Sequence, residues 1–206
     1  SGKTHFGTKS PATGGYADSN MGGHFGPQMK YAGSDMLVIT GKAEHPSYLF
    51  LKNINGKAIL ERLKITDKGC FGCPTPCGKY GHTQTSLGSA YVEGPEYETI
   101  ALFGGNCVLK TIEEVAYANY LCDELGIDTI SAGVVIGWVI ECFQTGILTH
   151  DDIGRAIDFS DLDSVAYLLN KIARREGIGD LLAEGVKIAA QKTGNGSERF
   201  AIHVKG

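Results

Sequence analysis

Between Ile130 and Phe143 the chain is apolar at every position except Ser131 and Glu141. The stretch is shorter than the roughly 20 residues a membrane-spanning helix needs. It therefore reads as a helix buried in a protein core, and neighbouring segments have to cover it. The sequence around it has the right period for that task. Ile112, Val115, Ala118, Cys122 and Leu125 share one helical face, and Gly126 stops the run. The buried helix itself is predicted over Ser131 to Thr145, ended by Gly146. A third, near Asp161 to Glu176, places Val165, Leu168, Leu169 and Ile172 together ahead of Gly177. A last helix is predicted to start on Asp180 as its N-cap and to stop at Gly194.

The first part of the chain has a different character. Residues 1–45 are dense in Gly, Ser, Thr and Asn, with short strand candidates at Met36 to Thr40 and Tyr48 to Lys52. The expected fold class is α+β, with a β-rich fragment over residues 1–55 and a mainly α-helical region over 56–206. Glycine, at 29 of 206 residues, has about twice its usual share of about 7%. In "ATGGYADSNMGGHFGP", residues 12–27, glycines alternate with Asp18, Ser19 and Asn20. Such a loop offers N–H groups to an anion, and equally reads as a plain surface loop. Neither nucleotide-binding glycine fingerprint is present.

Charge narrows the partners. A net charge of -4, a pI near 5.8 and scattered Lys and Arg give no footprint for nucleic acid or an anionic membrane surface. No secretory leader is visible, so a cytoplasmic location is the expectation.

Three of the six cysteines stand in "GCFGCPTPCGKY", residues 69–80. Cys70, Cys73 and Cys77 form C-x2-C-x3-C, a spacing that lets three thiolates converge on one metal centre. Zinc usually takes two separated ligand pairs, and no second pair occurs. A [4Fe–4S] cluster accepts three local cysteines and one remote one. Both readings, and an unliganded turn, stay open on spacing alone. His5 and His82 are single histidines and read better as solvated side chains. Cys107, Cys122 and Cys142 lie alone in apolar surroundings, where a buried hydrophobe is the plain reading.

Taken in order, "TKSPATGGYADSNMGGHFGPQMKYAG", "GCFGCPTPCGKY", "EGPEYET", "CDELGIDTIS", "REGIGDLLAEGVKIAA" and "HVKG" resemble the tungsten-containing aldehyde ferredoxin oxidoreductase family over nearly the whole chain. The resemblance implies a tungsten, or less often molybdenum, bis-pterin bridged through Mg2+, with a [4Fe–4S] cluster beside it. It implies oxidation of an aldehyde substrate to a carboxylic acid, with electrons leaving to ferredoxin or an iron–sulfur subunit in a homo- or hetero-oligomer. Residues 1–55 would then belong to a pterin-binding domain.

Residue by residue, the resemblance gives Cys70, Cys73 and Cys77 as cluster ligands. Asp123, Gly126, Ile127 and Asp128 match the family's Asp-x-x-Gly-Leu-Asp pterin motif, with Ile127 in place of Leu. Without the resemblance those residues read as a helix C-cap followed by an N-cap. The loop around Asn20 matches a pterin- and phosphate-contacting segment. Lys3 stands near where the family commonly has arginine, keeping the charge but losing the planar fork. Glu98, with Glu96 second and Tyr97 nearby, would face the metal as acid–base groups, and His203 would hydrogen-bond the aldehyde oxygen. The family's fourth cluster cysteine belongs to a later Asp-x-x-Gly-Leu-Cys motif that lies beyond Gly206. The family also carries a longer stretch before the cysteines, which implies a junction between residues 53 and 67. The same resemblance admits a low-potential aromatic thioester reductase, and a fragment that only binds metal is the third reading.

Overall fold

The computed structural model describes residues 4–9, 16–21, 36, 38, 54–69, 76 and 78–203. Strands β1 (Thr4–Lys9) and β2 (Tyr16–Met21) pair antiparallel, with His5 opposite Asn20. Asn20 thus stands in a strand rather than in the loop expected for it. Of the strand expected over Met36 to Thr40, Met36 and Val38 are described and neither has regular structure. The Tyr48 to Lys52 candidate, Lys3 and the three clustered cysteines lie outside the described residues.

A helical turn opens the next part. Asn55 caps α1 (Gly56–Ala58) by accepting from the Ala58 N–H at 3.0 Å, and the helix widens into a π turn, Ile59–Leu63. Three antiparallel strands follow in the order β3 (Lys64–Lys68), β4 (Gly78–Thr85) and β5 (Gly88–Glu93). The sequence reading placed this segment in a mainly α-helical region, and the sheet is a departure from it. The reason is local. The β4–β5 hairpin turns through Ser86 and Leu87, which lack the Asn-Gly or Asp-Gly signal of a two-residue loop. Alternation nevertheless sorts its faces, with Gly81, Thr83, Ala90 and Val92 buried and Gln84 and Tyr91 exposed.

The remainder is helical. Short α2 (Tyr97–Thr99) runs directly into a π segment, Ile100–Asn106. Helix α3 (Ile112–Leu125) begins with a reciprocal cap, in which Thr111 accepts from the Glu114 N–H and Glu114 accepts from the Thr111 N–H. It ends on Gly126, whose φ of 66° is left-handed and suits glycine. Then come α4 (Thr129–Gln144), α5 (His150–Ile153), α6 (Leu162–Arg174), α7 (Ile178–Leu182), α8 (Val186–Thr193) and a 3-10 turn, Ser197–Phe200. The last predicted helix is in fact two. Gly185, at φ 84°, separates α7 from α8, and Asp180 sits inside α7 paired with Arg175 rather than capping anything.

Helix α4 fills the middle of the core, with Ala132, Val135, Ile136, Trp138, Val139, Ile140 and Cys142 all buried. Phe103, Ile112, Val115, Val165, Leu168 and Leu169 complete the same cluster. Helix α3 packs against β4 and β5 and against α6, and Thr83 donates from the sheet to the Glu113 carbonyl on α3 at 2.8 Å. The apolar stretch is therefore covered by protein. Among the described residues no single helix is long and apolar enough to cross a membrane; α3 and α4 together would be, but they bend by 113°. The thiols of Cys107, Cys122 and Cys142 are all buried, and burial pushes them up to about 12, about 12 and about 11. They are protonated hydrophobes, as their surroundings in the sequence suggest.

Candidate functional site

The cysteine segment is held at its two ends. Lys68, the last residue of β3, pairs with Gly78, the first of β4. The two strands that flank the cysteine-bearing segment in the sequence are thereby joined at one rung of the sheet. As a donor set, three thiols within eight sequence positions suit a soft metal centre. Among the described residues no group of three or more His, Cys, Asp and Glu forms a second metal site.

The acidic segment starts where that base ends. Tyr80 of β4 pairs with Glu93 of β5, the Gly94 N–H donates to the Lys79 carbonyl at 2.7 Å, and Lys68 forms an ion pair with Glu93. The chain then crosses buried Gly94 and Pro95 to Glu96, which occupies the N-cap position of α2. Glu98 lies in the first turn of α2 and is exposed, as is Glu96. Thr99, 2% exposed, donates to the Thr129 hydroxyl at 2.9 Å. Tyr97 donates to the Met36 carbonyl at 3.4 Å.

Thr129 belongs to the third segment. Gly126 closes α3, and a side chain added there would meet nothing within 4 Å, so the turn is open to approach. Ile127 packs against the core and its N–H donates to the Cys122 carbonyl at 2.9 Å. Asp128 caps α4, accepting from the Ser131 N–H at 2.7 Å through Oδ2. That backbone donor holds its carboxyl below the ordinary carboxylate value, against some burial. Asp123 moves the other way, raised by burial of its carboxyl and then by Glu124 and Glu93, with Asn119 opposing. Asn119 donates to Asp123 Oδ2 at 2.9 Å and to the Glu93 carbonyl at 3.3 Å.

Three of the sequence motifs therefore meet: the base of the cysteine loop, the acidic turn and the Asp-Gly-Asp turn. His203 is the last described residue and is exposed, beyond the 3-10 turn that Trp138 fixes by donating to the Ser197 carbonyl at 3.0 Å. No described contact joins His203 to the other three motifs, and Lys3 and the Asn20 side chain lie outside the description. Sequence reasoning missed Asn119 and Thr99. The signal for Asn119 was its i, i+4 spacing to Asp123 on one helix face.

Asp128→Ala is expected to destabilise the protein by about 1 kcal/mol, the usual worth of a helix cap. Because native Asp128 titrates below its unfolded value, the loss should be full above the ordinary carboxylate range. It should vanish as pH falls through the lowered native value. Urea unfolding of both proteins from neutral pH downward checks this.

The family profile described as "Aldehyde ferredoxin oxidoreductase, domains 2 & 3" matches residues 33–206. The chain is 34% identical over 150 residues to the tungsten-containing aldehyde ferredoxin oxidoreductase of Pyrococcus furiosus, covering 72% of this chain and 24% of that one. It is 39% identical over 145 residues to a P. furiosus aliphatic sulfonate oxidoreductase, WOR-like subunit, covering 66% and 23%. Among solved structures it resembles the active-site complex BamBC of benzoyl coenzyme A reductase with 1,5-dienoyl-CoA. That likeness has a TM-score of 0.60 and 27% identity, over 70% of this chain and 21% of that one. The chain spans about a quarter of the length of the curated relatives it matches.

Proposed function

Because the chain belongs to the aldehyde ferredoxin oxidoreductase family, we propose that it forms part of a tungsten-dependent enzyme oxidising aldehydes to carboxylic acids. The observation that supports this most is the hydrogen-bonded meeting of the cysteine base, the acidic turn and the Asp-Gly-Asp turn. When bound, a tungsten bis-pterin bridged by Mg2+ would supply the two-electron redox chemistry. The chain's own residues would position and protonate around it. Cys70, Cys73 and Cys77 would hold a [4Fe–4S] cluster as thiolates, a group that would supply one-electron transfer toward ferredoxin or an iron–sulfur subunit. Asp123 would accept from pterin N–H groups through the oxygen that Asn119 leaves, with Asp128 beside it, while Gly126 would admit close backbone approach and Ile127 anchor the turn. Asn20 and Lys3 contribute from the N-terminal segment.

The reaction consumes water and releases two electrons and two protons per aldehyde. Glu98 takes a proton from the attacking water, with Glu96 as the neighbouring carboxylate, and His203 donates to the aldehyde oxygen. Glu98→Gln keeps the shape and removes the base. It is expected to lower aldehyde turnover at least about 100-fold while tungsten and iron contents stay at wild-type levels. Undiminished turnover would remove Glu98 from the mechanism.

The experiment that tests the function is analysis of the full-length native protein for W, Mo, Fe and Zn, together with aldehyde-dependent reduction of a viologen dye. Tungsten with iron and dye reduction is the expected result; zinc alone, with no turnover, would overturn it. The likeness to the BamBC complex favours a second reading, reduction of an aromatic acyl-CoA thioester by a low-potential donor. Loss of benzoyl-CoA under strong reductant, with no aldehyde activity, would select that reading.

A further inference from the structure

We infer that Asn119 is a positioning residue that fixes the Asp123 carboxylate relative to the acidic turn and the cysteine hairpin; this role rests on the tungsten–pterin reading above. Asn119 is only 5% exposed, and its amide spends both hydrogens on the two segments. One goes to the Glu93 carbonyl, at the end of β5. The other goes to Asp123 Oδ2, one turn further along α3. The next residue after Glu93 completes the series, because the Gly94 N–H donates to Lys79, the neighbour of the rung at Gly78. A single run of hydrogen bonds thus leads from the base of the cysteine loop to the first carboxylate of the Asp-Gly-Asp turn.

Asp128 has a backbone donor of its own, but Asn119 is the donor that Asp123 has among the described residues. Its charged neighbours Glu93 and Glu124 repel the carboxylate. Without the amide, Asp123 has no reason to keep one orientation, and a side chain that must meet fixed N–H groups on a cofactor loses its aim. The Asn119 amide also loses no freedom when cofactor binds, since it is packed and bonded beforehand.

The test uses the full-length, cofactor-loaded protein. Asn119→Leu keeps the branching at Cγ, with a larger side chain, and removes both donors; Asn119→Asp, of unchanged size, carries the same test should the leucine variant fail to fold. Pterin and tungsten per chain are followed during dialysis at a temperature well below melting, with the melting temperature measured alongside. The expected result is cofactor loss about tenfold faster than wild type, as for other groups that orient a ligand-binding side chain. A purely structural role would lower the melting temperature and leave retention unchanged, and that outcome overturns the assignment. Wild-type protein that holds neither pterin nor tungsten would instead overturn the functional reading, and the role of Asn119 with it.

Discussion

Cys73→Ser, made in the full-length enzyme, is expected to abolish the visible absorbance of the iron–sulfur cluster and to drop iron from about four atoms per chain toward zero. Serine is nearly the same size; what disappears is the thiolate, the donor that soft iron requires. The strands flanking the segment meet at the Lys68 and Gly78 rung, and among the described residues no group of three or more His, Cys, Asp and Glu could take over as a metal site. Aldehyde-dependent dye reduction should fall with the iron. Iron retained at the wild-type level would show that the cysteine loop is not the cluster site.

Gly179→Ala is expected to destabilise the fold by more than about 3 kcal/mol, at the upper end of what overpacking does. A methyl group at Gly179 would stand 2.1 Å from the Lys171 carbonyl oxygen and 2.2 Å from its carbon, and both atoms are backbone of α6. No rotamer change relieves such a contact, so α7 has to move off α6. Leu182, 1% exposed, would leave the core with it. Chemical denaturation reads the change directly; a variant as stable as wild type would mean that α7 does not lie on α6 in this way. The contrast with Gly126, where the same added methyl meets nothing, separates the two uses of glycine in the chain, one for close approach and one for a left-handed turn.

The longer helices α3, α4 and α6 were legible because each carries its own punctuation. Thr111 with Glu114, Asp128 and Asp161 open helices, and Gly126, Gly146 and Gly194 close them, and these are local signals that the sequence spells out. The buried character of α4 was legible for the same reason, since a run without a polar face has one place to go. The sheet was not, because its hairpin turns on Ser86 and Leu87 and its strands are short and rich in glycine. The break in the final helix was missed because Ala183, Glu184 and their neighbours are good helix formers; Gly185 decides the matter through a conformation that composition does not reveal. In the candidate site, spacing pointed to the cysteines, while Asp123 and Asp128 were singled out by the family resemblance and on residue types alone read as helix caps. The links between motifs, through Asn119, Thr99 and the Lys79 carbonyl, join residues up to 30 positions apart, and no periodicity encodes a contact of that kind.

The three sulfurs of the core have a consequence for how this protein meets oxidants. Cys107, Cys122 and Cys142 are buried, and near neutrality almost none of their sulfur is thiolate. Electrophiles and oxygen react with thiolate, so these positions are chemically mute while the fold stands. If Cys70, Cys73 and Cys77 hold the cluster as proposed, its oxidative loss would leave these three core thiols untouched.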